Sequence, residues 1–132
     1  MGRITLNIPR PPSVNSSNAI IPVFSKKAGK TVPRRIKTRD FKTWIKEAGL
    51  LTNCQRLKPI LGQVIVEIEV TRPSSGRRAD IDNIIKHCLD LLVDHRLIAD
   101  DSKVESVKAS WVYRPDAPEC RVVVSELTPT VA

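Results

Sequence analysis

The chain has 132 residues, 41% apolar and 27% charged, with a formal net charge of +8; this length suits one domain over 1–132, and the apolar share can supply one core without disulfide or metal staples. No run approaches the roughly 20 consecutive apolar residues that cross a bilayer, and Met1-Gly2-Arg3 leads straight into a strand-like alternation rather than a signal-peptide core. A cytoplasmic protein with no membrane role is expected, and the positive charge points to a polyanionic partner.

Ile4, Leu6 and Ile8 alternate with Arg3, Thr5 and Asn7, the period of a half-buried strand. Pro9-Arg10-Pro11-Pro12-Ser13 ends it, and a segment rich in Pro, Ser, Asn and Lys follows to about Lys37 without sustained periodicity. So long a structureless loop in a compact domain is expected to be functional or mobile. Its charge is one-sided. From Met1 to Arg39 there are nine basic residues and no acidic one, whereas the rest of the chain carries thirteen basic and fourteen acidic side chains, so the whole positive excess resides here. Such a field suits phosphates, each of which releases condensed counterions when neutralised, and Lys26, Lys27, Lys30, Arg34 and Arg35 are the expected contacts to a phosphate backbone. A solubilising arm is the plainer alternative. A membrane-surface role is disfavoured because the basic residues follow no helical amphipathic pattern.

Thr38 or Asp40 can cap a helix whose apolar positions are Phe41, Trp44, Ile45, Ala48 and Leu51 or Thr52, ending near Cys54. After Pro59 and Gly62, Val64, Val66, Ile68 and Val70 share one face of a β-branched strand, with Glu67 and Glu69 on the other. From Ile81 the apolar positions Ile84, Ile85, Cys88, Leu89 and Leu92 follow the spacing of a second amphipathic helix. Val104 to Tyr113 alternates as a third strand, and Cys120 to Leu127 is expected to form a fourth, in a hairpin with it. The order β-α-β-α-β-β predicts an α+β domain with two helices packed on one face of a mixed sheet. Cys54, Cys88 and Cys120 are odd in number, far apart and set among apolar neighbours, so they read as small core hydrophobes. Trp44 and Trp111 fall at core-facing positions, and His87 and His95 lack a ligand spacing.

Arg77-Arg78-Ala79-Asp80-Ile81-Asp82-Asn83 carries the most chemical information. Two carboxylates at i and i+2 would stand about 200° apart in a regular helix, so they share a site only if Asp80 is still extended where Asp82 opens the helix. The plain reading makes one an N-cap and the other a favourable first-turn charge. Asp100-Asp101, in the turn after the second helix, is by itself ordinary turn chemistry. If that helix packs back on the sheet, the turn lies at the opposite end from Asp80 unless the residues after Val93 run back; the spacing permits convergence without requiring it. Lys86 lies four residues after Asp82, fit either for an i, i+4 ion pair or for neutralising a phosphate oxygen in a transition state.

Together these residues make the chain resemble the RusA family of Holliday junction endonucleases over nearly its whole length. The features that carry the likeness are Pro11-Pro12-Ser13-Val14-Asn15 after the first strand, a basic run before Asp80-Ile81-Asp82-Asn83, Lys86, and Asp100-Asp101. The resemblance implies a homodimer that cuts branched DNA, especially four-way junctions. It also implies catalytic Mg²⁺, with Mn²⁺ as an alternative, bound by Asp80, Asp82 and Asp101, with Asp100 as a substitute for Asp101. Lys86 would assist, and the turn at Asp101 would approach the other two ligands. Family members often have a basic residue immediately before the first aspartate; here it is Ala79, which leaves Arg77 and Arg78 as the implied phosphate contacts. Hard carboxylate ligands suit Mg²⁺, and no separate protein nucleophile is needed. Two other readings compete. One is a non-catalytic nucleic-acid-binding module, although 4% aromatic content argues against an RNA-recognition sheet; the other is a nuclease for other branched DNA.

Overall fold

Alternation of apolar and polar residues builds the sheet. In a computed structural model, which describes residues 2–12, 18–72, 81–114 and 116–127, Ile4, Leu6 and Ile8 of strand β1 (Arg3–Ile8) are buried while the residues between them are exposed. Val64, Val66, Ile68 and Val70 of β4 (Val64–Thr71) are buried in the same way. With β5 (Val104–Val112) and β6 (Cys120–Glu126) they form a four-stranded sheet of order β1-β6-β4-β5. β6 is antiparallel to both neighbours and β4 is parallel to β5, so the sheet is mixed. The register places Leu6, Val122, Ile68 and Ala109 in one row of one face, and Thr5, Val123, Glu67 and Lys108 in a row of the other.

Helix α1 (Arg39–Cys54) and helix α2 (Ile81–Asp94) bring Trp44, Ala48, Ile84, Cys88, Leu91 and Leu92 to the apolar face, completing one buried cluster. Thr38 caps α1, its hydroxyl accepting from the Phe41 backbone N–H at 3.3 Å. Gly49 of α1 faces the His95 ring so closely that a Cβ would meet its Nε2 at 3.1 Å. Glycine costs a helix about 1 kcal/mol relative to alanine, and this approach is what it permits. α2 closes with Arg96 at φ 56°, its N–H donating to Val93 O and the Leu97 N–H to Leu92 O, the double-bonded ending that left-handed residues make. This turn sends the chain to Ile98, which bridges to Ile60 ahead of β4.

Two expectations about the strands, and one about Cys54, are corrected. β5 and β6 do not pair with each other, because β4 lies between them. A hairpin would take β6 out of its place between β1 and β4. Instead the connection after Val112 spans the end of β4, fastened by Thr71 N–H to Glu119 O (2.9 Å), Arg72 N–H to Val112 O (2.9 Å) and the Thr71 hydroxyl to Pro118 O. The segment before Lys37 is also not structureless. It contains β2 (Asn18–Ser25) and β3 (Lys30–Lys37), an antiparallel two-stranded sheet of its own. Pro22 and Pro33, which face each other, hide these strands from pattern reading; proline lacks a ladder donor but is tolerated on edges, and both strands of a lone hairpin are edges. Of the cysteines, Cys88 and Cys120 are buried with their Sγ atoms 3.8 Å apart, whereas Cys54, at the end of α1, is exposed.

Trp44 is 5% exposed and its indole N–H donates to Pro9 O at 2.9 Å, tying α1 to the proline-rich exit of β1. Trp44→Phe keeps a ring in the cluster but leaves that carbonyl without its donor. Urea unfolding should show a loss of about 1–2 kcal/mol; an unchanged midpoint would mean that the hydrogen bond does not hold the segment.

Candidate active site and nucleic-acid interface

Strands β1, β4 and β5 run in one direction, so the chain leaves all three at the same end of the sheet, where β6 begins. Arg10 braces this end: its Nε donates to Thr71 O at 2.8 Å and its backbone N–H to a Glu119 carboxylate oxygen at 3.2 Å. Arg72, whose guanidinium carbon lies 5.6 Å from the Tyr113 ring centroid, and exposed Arg114 add positive charge. α2 starts beyond the exit of β4, with Asp82 in its first turn and Lys86 one turn on, both exposed. Asp82 and Lys86 form no ion pair; the salt bridge among the described residues joins Arg114 to Glu69 at 3.6 Å. Arg77, Arg78 and Asp80 lie outside the described residues, as do Ser13, Val14 and Asn15 of the proline element.

Asp100 and Asp101 stand elsewhere. Asp100 holds the N-cap position of a short 3-10 turn (Asp101–Lys103) that Asp101 opens, and Val104, which follows it, is paired with Val64 at the beginning of β4. The residues after α2 do not run back toward its start, because Leu97 and Ile98 are held against Ile60. Asp101 senses the charge of Asp90, eight residues and about 12 Å along α2 from Asp82. The two carboxylates implied as ligands are therefore not side by side in this chain path, and no group of three His, Cys, Asp or Glu side chains placed for a metal ion occurs among the described residues. Hydrogen bonding with Asp100, and then its charge, holds the Asp101 carboxyl above its ordinary range. Asp100 is held below it by hydrogen bonds with Asp101 and with the Ser102 hydroxyl.

The predicted phosphate contacts fall on the hairpin. Lys26, Lys27 and Lys30 are exposed around its turn, which is closed by Gly29 N–H to Ser25 O (2.8 Å) with Gly29 at φ 68°. Arg34 and Arg35 lie along β3, opposite Ile21 and Ile20.

Residues 16–125 match the family described as Endodeoxyribonuclease RusA. The chain belongs to the RusA endodeoxyribonuclease family. A 44-residue stretch is also 48% identical to part of a phosphoheptose isomerase from Methylococcus capsulatus (strain ATCC 33009 / NCIMB 11132 / Bath), covering 33% of this chain and 23% of that protein. That short overlap carries no sugar chemistry over to a RusA-family chain. No helix among the described residues is long and apolar enough to cross a membrane.

Within this RusA-family fold, periodicity did not single out His87. It directly follows Lys86, is 4% exposed, and packs at a tilt of 46° against Phe41 of α1 with ring centroids 4.6 Å apart and near Trp44 at 5.9 Å. The cluster joins α1 to the helix that carries Asp82 and Lys86. Burial lowers the His87 pKa from its ordinary 6.5, and Lys86 adds to this, while Asp90 opposes it. As pH falls below about 6.5 the unfolded chain takes up this proton before the folded one does, so stability must fall until the folded-state pKa is passed. Urea midpoints at pH 7.5 and 5.5 should show that loss. His87→Phe, which keeps a ring in the cluster, should reduce it; equal pH slopes in the two proteins would place the effect elsewhere.

Proposed function

We propose that the protein is a divalent-metal-dependent endonuclease that resolves four-way DNA junctions, as a homodimer, in recombination and repair in the cytoplasm. The observation that supports this most is the family match across residues 16–125, which includes both the acid-free basic hairpin and the Asp82–Lys86 face of α2. A two-fold dimer suits the task because resolution takes two cuts of like polarity, and equivalent subunits present equivalent sites.

The donor set suits a hard cation. Asp82 and Asp101 are exposed carboxylates, and the crowding of Asp101 by Asp100 is of the kind a nearby cation relieves. In this reading Asp80 and Asp82 form the core of a Mg²⁺ site, with Mn²⁺ as a substitute. Asp101 joins as third ligand, by a shift of its turn or from a second copy. When bound, the metal supplies Lewis-acid stabilisation of charge developing on the phosphate. Lys86, unpaired with Asp82, faces solvent where an ammonium can neutralise a phosphate oxygen. Arg77 and Arg78 hold the phosphates flanking the cut. Lys26, Lys27, Lys30, Arg34 and Arg35 track the backbone of a DNA arm, positioning it without reading sequence.

Asp82→Asn is expected to abolish cleavage while junction affinity stays the same or rises slightly, since the change removes a ligand charge and also repulsion toward DNA. At a mere first-turn position, asparagine would serve almost as well. Single-turnover cleavage of a four-way junction in saturating Mg²⁺, with a gel-shift affinity in Ca²⁺, decides. A rate within about tenfold of the parent, a barrier change of only about 1.4 kcal/mol, would leave the basic, non-catalytic DNA-binding module as the better reading.

Replacing Lys26, Lys27, Arg34 and Arg35 together with alanine should weaken binding to every DNA tested and flatten the slope of log K against log salt by up to about four phosphate equivalents. An unchanged slope would remove the hairpin from the interface.

A further inference from the structure

The hairpin carries more than charge. Cross-strand partners project to the same side of a sheet, so Phe24 and Thr31 share a face with Pro22 and Pro33, while Val23 and Val32 share the other. The two faces differ in degree: on one Val23 and Val32 are half-buried with Ile21 exposed at 37%, whereas on the other Pro22, Phe24, Thr31 and Pro33 are all exposed, Phe24 at 64%. An apolar strip therefore lies open on one face, next to a turn with three exposed lysines. No acidic residue occurs anywhere from Met1 to Arg39. A second copy of this chain docking strip to strip would bring two sets of lysines together, which like-charge repulsion opposes. A nucleic acid meets both demands, since its phosphates pair with the lysines and any base has an apolar face for the ring.

We propose that Phe24 is a base-stacking residue that engages an unstacked nucleotide at the branch point of the DNA, making it a determinant of preference for branched DNA over duplex. The proposal rests on the branched-DNA reading above. Its logic is differential. In continuous duplex both faces of each base are already stacked, and exposing one costs unstacking energy. At a branch point the stack between arms is not enforced by a continuous backbone, so a base face is freed there at lower cost and Phe24 gains contact more cheaply than in duplex. The lysines act on any DNA, but the ring discriminates.

The test uses the full-length protein in Ca²⁺, a four-way junction with 2-aminopurine at the branch point, and a linear duplex of matched length. Parent and Phe24→Trp are expected to change the probe's fluorescence on binding. Phe24→Ala should lose that change and about tenfold in junction affinity, equivalent to about 1.4 kcal/mol, with duplex affinity within twofold and the salt slope unaltered. Phe24→Ala that keeps the junction preference and the fluorescence change would overturn the role of Phe24 alone. Equal losses on junction and duplex would overturn it too, as would a shift in sedimentation without DNA, which would assign the strip to self-association. A parent protein that binds the junction no better than the duplex would instead sink the branched-DNA reading, and the stacking role with it.

Discussion

Strand β4 is the constraint from which the rest of the structure follows. Val64, Val66, Ile68 and Val70 are all essentially inaccessible to water, in a strand flanked on each edge and covered by helices over one face. Burying each such side chain is worth about 1.5–3 kcal/mol, so an arrangement that left β4 at an edge would lose much of this. The parallel partner β5 must then be reached by a crossover, which α2 provides. The crossover puts the start of α2, with Asp82 and Lys86, beyond the exit of β4. The same end receives the Pro9–Arg10 exit of β1 and the strap that runs from β5 to β6.

That geometry separates positioning from contact. Arg10, Thr71 and Glu119 lock the strand ends to one another through backbone acceptors and a carboxylate, so that end of the sheet is braced. The aromatic contacts of His87 with Phe41 and Trp44 fix the same helix from its other side. Catalytic groups need supporting shells of this kind to hold their geometry. The hairpin is different in kind. Among its described side chains none belongs to the buried cluster, and a two-stranded sheet alone is marginally stable in water. It suits a surface that adapts to a large polyanion better than one that orders a metal site.

The placement of Asp101 bears most on mechanism. One copy of the chain holds Asp82 toward one end of α2 and Asp101 by the turn that follows the other end, with Leu97 and Ile98 pinned to Ile60 between the helix and the turn. A ligand set that needs both carboxylates needs something beyond the path of a single resting chain. In the proposed site that something is either a movement of the Asp101 turn or the second copy of the proposed homodimer.

Local patterns in the sequence determined β1, both helices, the apolar face of β4 and the extents of β5 and β6, because side-chain periodicity reflects which face meets the core whatever the partner is. They also located the acid-free basic segment and the Asp82–Lys86 spacing that led to the family. Only the tertiary structure decided that β6 sits between β1 and β4, since strand order is set by burial of both edges of β4 and leaves no local mark. It alone revealed the hairpin, whose paired prolines erase the alternation that announces a strand. It alone placed Phe24 in solvent, Cys54 at an exposed helix end and His87 against Phe41, for exposure depends on what the rest of the chain brings alongside. The distance between Asp82 and Asp101 was likewise beyond sequence, because the turn after α2 could run either way until the pairing of Ile98 with Ile60 fixed its direction.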